Sequence, residues 1–498
     1  MHFAITSRVL RQGDRVISLE IVVTILVLLP LLAAVMLGVF AASLIPLRKI
    51  PAHEYQQLVR APAWIVVVTG GGLLVLSLLA LGQMGGQGAQ IFVGGRHAAL
   101  LMIDAYSLWG SALLGMVLAV TAWAPAARRS LLPRAVPYFL TVLLLTWLAL
   151  LLLFSQQLGL SLFSWLLLLA GVMVFCAVLF RPGWHWEQLE VFLVLALAGL
   201  LGGIGLVWLH TLAKGSMVTN MWTVLLSSPP HATNAAMLLI AIGWIGPAIY
   251  LPWWLWVRRE EEAAVWLPAA MLLAVAGVLA SVRLIFFLFP AGGGNFSQIP
   301  GVEHLFLIRQ ILGWLLAWGV VALLVGAGLQ TYFAIRRRYD AVGLFRPLVL
   351  VASGMLLLGI AGGILGMADE QLGHRTEAIT GLIWTLLTWS GMITVWLVIG
   401  LLLPMLTAKQ EGAERTTLQV SLWLTMASLV AIPPSSGFHA LASFWVIWGQ
   451  HGTPPILVLT ALLLTLAGVI MLLPRWSRRQ VAEEPHPGAG WGLSLIHI

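Results

Sequence analysis

The side chains that could take up and release protons are few and widely spaced in this chain of 498 residues. Asp104, His210, Arg283 and His439 fall within long apolar segments or at their ends. An ionisable group in hydrocarbon is costly, and where membrane proteins keep one it often marks an ion or proton pathway. We therefore take these four residues as the candidates for a proton pathway.

Lysine, which readily shifts its pKa when buried, is missing from the apolar segments. Only three lysines occur, Lys49, Lys214 and Lys409, and none lies inside such a segment. The single cysteine, Cys176, excludes a disulfide framework or a CxxC metal site within the chain. No motif for nucleotide, flavin or metal chemistry occurs in a usable context. We expect no catalytic site, no metal and no cofactor.

The elements that position these residues must be membrane-spanning helices. The chain is 60% hydrophobic and only 9% charged, with apolar runs of twenty or more residues from end to end. Such runs cross about 30 Å of hydrocarbon as helices, and they lack the alternation of barrel strands. The net charge of +8 comes from bases scattered over many loops. That pattern is typical of membrane topology, so we expect a lipid bilayer around the chain and no nucleic acid.

The spacing predicts an all-α polytopic transmembrane bundle of about 13–14 spans. Basic residues such as Arg129, Arg259 and Arg337 concentrate in the loops after odd-numbered spans, which the positive-inside rule places in the cytoplasm. Residues 83–98 and 211–234 then face outward, in a multi-pass protein of a prokaryotic inner (plasma) membrane. Thirteen spans are predicted at 19–46, 62–82, 99–123, 137–154, 160–180, 189–210, 235–257, 263–289, 308–335, 346–367, 376–404, 417–446 and 455–474.

Two spans carry helix breakers deep in apolar sequence. Span seven contains Pro247 and Pro252, and span twelve contains Pro433, Pro434 and Gly437. Proline removes a backbone donor and clashes with the preceding turn, so we expect both helices to be broken. Interrupted helices at matching places in two halves indicate an inverted repeat around an ion pathway.

These breaks suggest a division of the chain into four parts. They are the N-terminal helices 1–3 (1–135), a first five-helix repeat (136–290), a second five-helix repeat (305–475) and a C-terminal tail (476–498). The last seven residues, from Gly492 to Ile498, are similar to translated sequencing-adapter sequence. We expect the natural protein to continue past about residue 480 into another helix.

Several short motifs occur in a fixed order between about residues 100 and 450. They are Asp104-Ala-Tyr-Ser107-Leu108, Leu158 to Trp165, Lys214-Gly-Ser216, Gly243 to Pro252, Asp340 with Gly354, and Pro433-Pro434-Ser-Ser-Gly437-Phe438. In order and spacing they resemble the antiporter-like proton-translocating membrane subunits of NADH:quinone oxidoreductase (respiratory complex I), membrane-bound hydrogenases and Mrp cation antiporters. The last motif is the most specific. The resemblance implies proton transport coupled to electron transport, with other membrane subunits as partners.

The titratable positions of that family are not kept here. One of them falls near Val278, and the others fall on Leu166, Pro247, Val342, Thr388, Met392 and Leu441. A proton relay needs groups that gain and lose protons. The family resemblance therefore implies a structural or coupling subunit whose own relay is largely lost. As an enzyme it would be at most a subunit of an NADH:quinone oxidoreductase-type complex. The alternative is an autonomous transporter that moves another solute with the same fold.

Overall fold

The computed structural model describes residues 19–44, 52–83, 91–93, 100–122, 135–179, 186–213, 217–218, 229–257, 260–288, 317–332, 341–368, 375–397, 427–428, 434–450 and 458–468. Helices dominate these residues, and every one of the thirteen predicted spans contains a described helix. In chain order they are α1 Leu19–Leu44, α2 Ala52–Gln83, α3 Ala105–Thr121, α4 Ala135–Phe154, α5 Leu158–Leu179, α6 Trp186–Leu212, α7 Pro230–Val257, α8 Glu260–Leu288, α9 Ala317–Tyr332, α10 Ala341–Ala368, α11 Arg375–Leu397, α12 Ser436–Gln450 and α13 Val458–Gly468.

The helices have the length and composition of membrane spans. Among the described residues, six helical stretches are long and apolar enough to cross a bilayer: Ile21–Ser43, Arg60–Gln83, Ala135–Phe154, Leu158–Phe175, Leu189–Leu212 and Leu267–Leu284. Shorter apolar helices occur in α3, α9, α10, α11 and α13. Large apolar side chains on their outer faces are exposed, which fits contact with lipid or with other membrane helices. The protein is a multi-pass integral membrane protein.

Helix α8 lies at the centre of the bundle. Its apolar stretch Leu267–Leu284 is buried along its whole length. It packs mainly against α7, α3 and α4, with smaller contacts to α5, α10 and α11. Many of its side chains are alanines, which let neighbouring backbones approach closely. Any polar residue on α8 is therefore placed among protein rather than lipid.

Glycines allow neighbouring helices to touch at the backbone, as in the pairs α2–α3 and α6–α7. Between α2 and α3, a Cβ on Gly70 would lie 2.5 Å from the backbone nitrogen of Ala119, and a Cβ on Gly115 would lie 2.6 Å from the Gly70 carbonyl oxygen. Between α6 and α7, a Cβ on Gly243 would collide with the backbone of Gly202. In a membrane, such close packing is a main source of helix association.

A small β-layer covers one end of the bundle. Strands β1 (Ile91–Val93) and β2 (Leu101–Ile103) pair antiparallel, with Ile91 opposite Ile103. The linker between α4 and α5 joins this layer, since the Gln156 N–H donates to the Leu100 carbonyl at 2.8 Å. The Val218 N–H, beyond α6, donates in turn to the Gln156 carbonyl at 2.8 Å. Helix α3 starts two residues after the end of β2, so its first turn lies next to this layer.

The two expected helix breaks differ in the structure. Helix α7 runs from Pro230 to Val257 without interruption, which corrects the expectation of a break at Pro247 and Pro252. Membrane helices tolerate proline where neighbouring elements hold the backbone in place, and α7 packs closely on both α6 and α8. Helix α12, in contrast, begins at Ser436 after a turn at Pro434. Pro433 lies outside the described residues, as does the tail 476–498.

Candidate functional site: a buried ion pair and the former relay positions

Asp104 is fixed by the start of α3. It is the N-cap residue, with an extended backbone at φ −144° and ψ 172°. The Ser107 N–H donates to its Oδ1 at 2.8 Å, and the Asp104 N–H donates to the Ser107 hydroxyl oxygen at 3.0 Å. This reciprocal capping box satisfies two donors at the helix start and fixes the orientation of the carboxylate.

Arg283 of α8 completes an ion pair with Asp104. Its Nε donates to Asp104 Oδ2 at 2.5 Å, and its Nη1 donates to the Ser155 carbonyl at 2.7 Å. Only 3% of the arginine is exposed, and Asp104 is buried as well. The pair therefore ties together the end of α8, the start of α3 and the α4–α5 linker, at the end of the bundle below the β-layer.

The electrostatics of this site favour a fixed pair of charges. The negative carboxylate lies at the positive end of the α3 dipole and against a guanidinium. Removing one partner of a buried pair typically costs about 3–5 kcal/mol because the other charge is left uncompensated. The Ser155 hydroxyl also donates a hydrogen bond to the Leu152 carbonyl at 3.0 Å and shares one with the Ser161 hydroxyl. The arrangement can anchor three elements to one another.

The other two candidate residues lie apart from this pair. His439, in the first turn of α12, is exposed and stacks on Trp384 of α11, with ring centroids 4.9 Å apart and an angle of 25°. His210 is exposed in the last turn of α6. The structure thus brings together Asp104 and Arg283 but adds neither histidine to them.

The positions that match the family's relay residues are mostly apolar and buried. Val278 and Met392 are completely buried, Leu441 is 6% exposed, and Pro247 is buried in α7. Leu166 differs, because 43% of it is exposed on the outer face of α5. Its neighbour Trp165 points inward instead and is fully buried. The side chain of Val342 lies outside what the structure describes.

A hydroxyl cluster at the start of α12 is the polar feature that sequence reasoning missed. Thr388 of α11 and Ser436 share a hydrogen bond of 2.9 Å, and Ser428 and Ser436 share one of 2.5 Å. Two residues on, the Ser390 hydroxyl accepts a hydrogen bond from the Trp109 indole of α3 at 3.2 Å. Serine and threonine are common in membrane helices, so their types alone do not signal this cluster. Its one sequence signal is the serine pair directly after Pro434.

Within the described residues, no three His, Cys, Asp or Glu side chains lie close enough together to hold a metal ion. A hydrogen bond of 2.6 Å from the Tyr250 hydroxyl to Glu190 Oε1 joins α7 to α6. It lies toward the opposite end of the bundle from Asp104, where α6 begins and α7 ends.

Comparisons with known proteins identify the fold. Neither a protein-family model nor a curated protein sequence matches the chain. Solved structures do. An archaeal membrane-bound sulfane sulfur reductase, a respiratory membrane complex, contains a chain 15% identical with a TM-score of 0.65, and the match covers 96% of this chain and 92% of that one.

Two bacterial structures give similar matches. The Mrp complex from Dietzia sp. DQ12-45-1b matches at 16% identity and a TM-score of 0.63, over 91% of this chain and 79% of that one. Respiratory complex I from Thermus thermophilus with bound NADH matches at 17% identity and a TM-score of 0.59, over 95% and 93%. The all-α polytopic fold predicted from the sequence is thereby confirmed, and it is the fold of chains in these three membrane complexes.

Proposed function

We propose that this chain is an antiporter-like membrane subunit of a complex I-like, hydrogenase-type or Mrp-type assembly in a prokaryotic inner membrane. Its own role is structural or coupling, and it conducts no protons by itself. The observation that carries the proposal is the burial of apolar side chains at the relay positions, with Val278 and Met392 at 0% and Leu441 at 6% exposure.

Proton transfer requires titratable groups within hydrogen-bond reach of one another or of one shared water. Valine, leucine and methionine neither carry a proton nor hold a water chain. Because an isolated charge in a dry interior is very costly, a proton has no stable position along such a path. Close packing of these residues supports a rigid module more than a channel.

The Asp104–Arg283 pair fits the structural role. An arginine side chain is not deprotonated in proteins, so it cannot pass a proton on. Its partner carboxylate is occupied by the guanidinium and by the α3 backbone. The two histidines among the candidates, His210 and His439, are exposed and lie apart from this pair, and isolated histidines make no relay.

The structural neighbours come from multi-subunit membrane assemblies, which supports other membrane subunits as partners. Co-purification from native membranes tests this part. Stoichiometric recovery of further membrane subunits supports the proposal. A lone monomer or homodimer that carries a solute would instead support the autonomous transporter.

Proton conduction is tested in sealed liposomes that contain the purified chain. Under an imposed potential of about 100 mV, worth roughly 2.3 kcal/mol per proton, dye-reported acidification should proceed no faster than in empty liposomes. A protonophore added at the end of each run controls for the driving force and the dye. His439→Ala should leave both the flux and assembly with any partner complex unchanged. A potential-driven flux that His439→Ala abolishes would refute the proposal.

A further inference from the structure

Two buried indole groups meet where α5, α6, α7 and α8 come together. Trp165 of α5 is fully buried and Trp244 of α7 is 2% exposed. Their ring centroids are 5.7 Å apart with an angle of 45° between the planes. The Nε1 atom of each is buried and, within the described part of the chain, donates to no protein acceptor. An indole N–H can only donate, so each of these buried groups needs an acceptor to avoid the cost of an unmade hydrogen bond.

Both donors lie beside the same glycine. A Cβ placed on Gly202 of α6 would lie 3.2 Å from Nε1 of Trp244 and 3.3 Å from Nε1 of Trp165. Gly277 of α8 faces the pair as well, since its Cβ would lie 3.4 Å from Cη2 of Trp165. One small acceptor near Gly202 can therefore reach both nitrogens.

Helix α7 carries a carbonyl without its usual helical donor at its contact with Gly202. The carbonyl of Gly243 would normally accept from the N–H four residues later, but that residue is Pro247, which has none. Gly243 packs directly against the backbone of Gly202. The junction thus combines two donors without acceptors and a carbonyl that lacks its usual helical donor.

We propose that this junction holds one buried water molecule. The water accepts hydrogen bonds from the indole N–H groups of Trp165 and Trp244 and donates one to the Gly243 carbonyl. Buried waters in proteins typically make about three such bonds. An anion fits poorly, because two neutral donors do not compensate a full charge in a low-dielectric interior. The water satisfies the Gly243 carbonyl that Pro247 leaves without its helical donor, and the proposal does not depend on the function of the chain.

The test removes the N–H groups while keeping the ring shape. Tryptophan at position 165 or 244 is replaced by 3-benzothienylalanine, in which sulfur stands for the N–H, in the full chain in lipid nanodiscs. Each replacement should lower the Tm by about 2 °C or more, because a bound water loses a donor. The double replacement should lower it by less than the sum of the two, since the groups share one water.

The same replacement at Trp318, which is 61% exposed on α9, is the matched control and should leave the Tm unchanged. An unchanged or raised Tm at both 165 and 244 would overturn the proposal, because it would mean that the N–H groups had no acceptor. Strictly additive losses would also contradict a shared water. A cryo-EM map that shows ordered waters elsewhere must show density within hydrogen-bond distance of both Nε1 atoms, and its absence would refute the site.

Discussion

At the scale of single residues, the Asp104–Arg283 pair joins parts of the chain 179 positions apart. The two residues of the pair have different roles. Asp104 caps α3 and also compensates a charge, whereas Arg283 compensates a charge and binds the Ser155 carbonyl. Asparagine can keep the capping function without the charge. This difference allows the charge to be removed without losing the cap.

Arg283→Met should therefore destabilise the protein by about 3–5 kcal/mol, because it leaves a buried carboxylate without compensation. Arg283→Met combined with Asp104→Asn should recover most of that loss, since no buried charge remains and the cap persists. Denaturant unfolding in detergent micelles measures both variants. If the double variant is as unstable as Arg283→Met alone, charge compensation is not the role of the pair.

The sequence identified Asp104 and Arg283 singly but not as a pair. Each stands out as an ionisable residue in apolar surroundings, which composition alone reveals. Their meeting depends on how α3, α8 and the α4–α5 linker pack, and no local pattern encodes that. Trp165 shows the same limit, because the adjacent Leu166 and Trp165 are equally apolar in sequence, yet one faces outward and the other inward.

At the scale of elements, α2 and α3 are held together by backbone contact at Gly70 and Gly115. The long apolar runs predicted such helices from sequence, because the length of an apolar run can be read from consecutive residues alone. The path of α7 through Pro247 was not predictable in that way. It rests on contacts with α6 and α8, which override the local effect of proline.

The run Gly70-Gly71-Gly72 offers a matched test of this helix contact. Gly70→Ala places a methyl group 2.5 Å from the Ala119 nitrogen, so we expect a loss of about 1–3 kcal/mol from overpacking. Gly71→Ala meets nothing within 4 Å and should be neutral or stabilising by up to about 1 kcal/mol through helix propensity. The free energies of unfolding of both variants, measured under the same conditions, test whether the two glycines differ in this way. Equal effects at the two positions would contradict the contact.

At the scale of the whole molecule, the charge pattern and the fold agree that three particular helix ends lie on the same side. The start of α3, the end of α4 and the end of α8 meet at one end of the bundle. The positive-inside pattern independently assigns all three of these helix ends to the outward side. The β-layer would then lie on the outer face of the membrane.

Cysteine labelling in intact cells tests this orientation. In a Cys176→Ala background, a cysteine at Gln87 should react with a membrane-impermeant maleimide, whereas one at Arg337 should react only after the membrane is opened. The reason is that 83–98 is expected outside and the loop with Arg337 inside. Reaction at Arg337 in intact cells would reverse the topology.

The burial of the α8 stretch Leu267–Leu284, which contains Arg283, also bears on biogenesis. An arginine in a translocating segment disfavours membrane insertion by up to about 2.5–3.5 kcal/mol, the value for a helix centre. Asp104 is synthesised 179 residues before Arg283, so α3 is already in the membrane when α8 leaves the ribosome. Insertion of α8 should then depend on Asp104 in the already inserted α3.

With a glycosylation acceptor placed after Leu288, Asp104→Leu should reduce glycosylation of the nascent chain, and adding Arg283→Leu should restore it. Unchanged glycosylation in Asp104→Leu would mean that α8 enters the bilayer without help from α3.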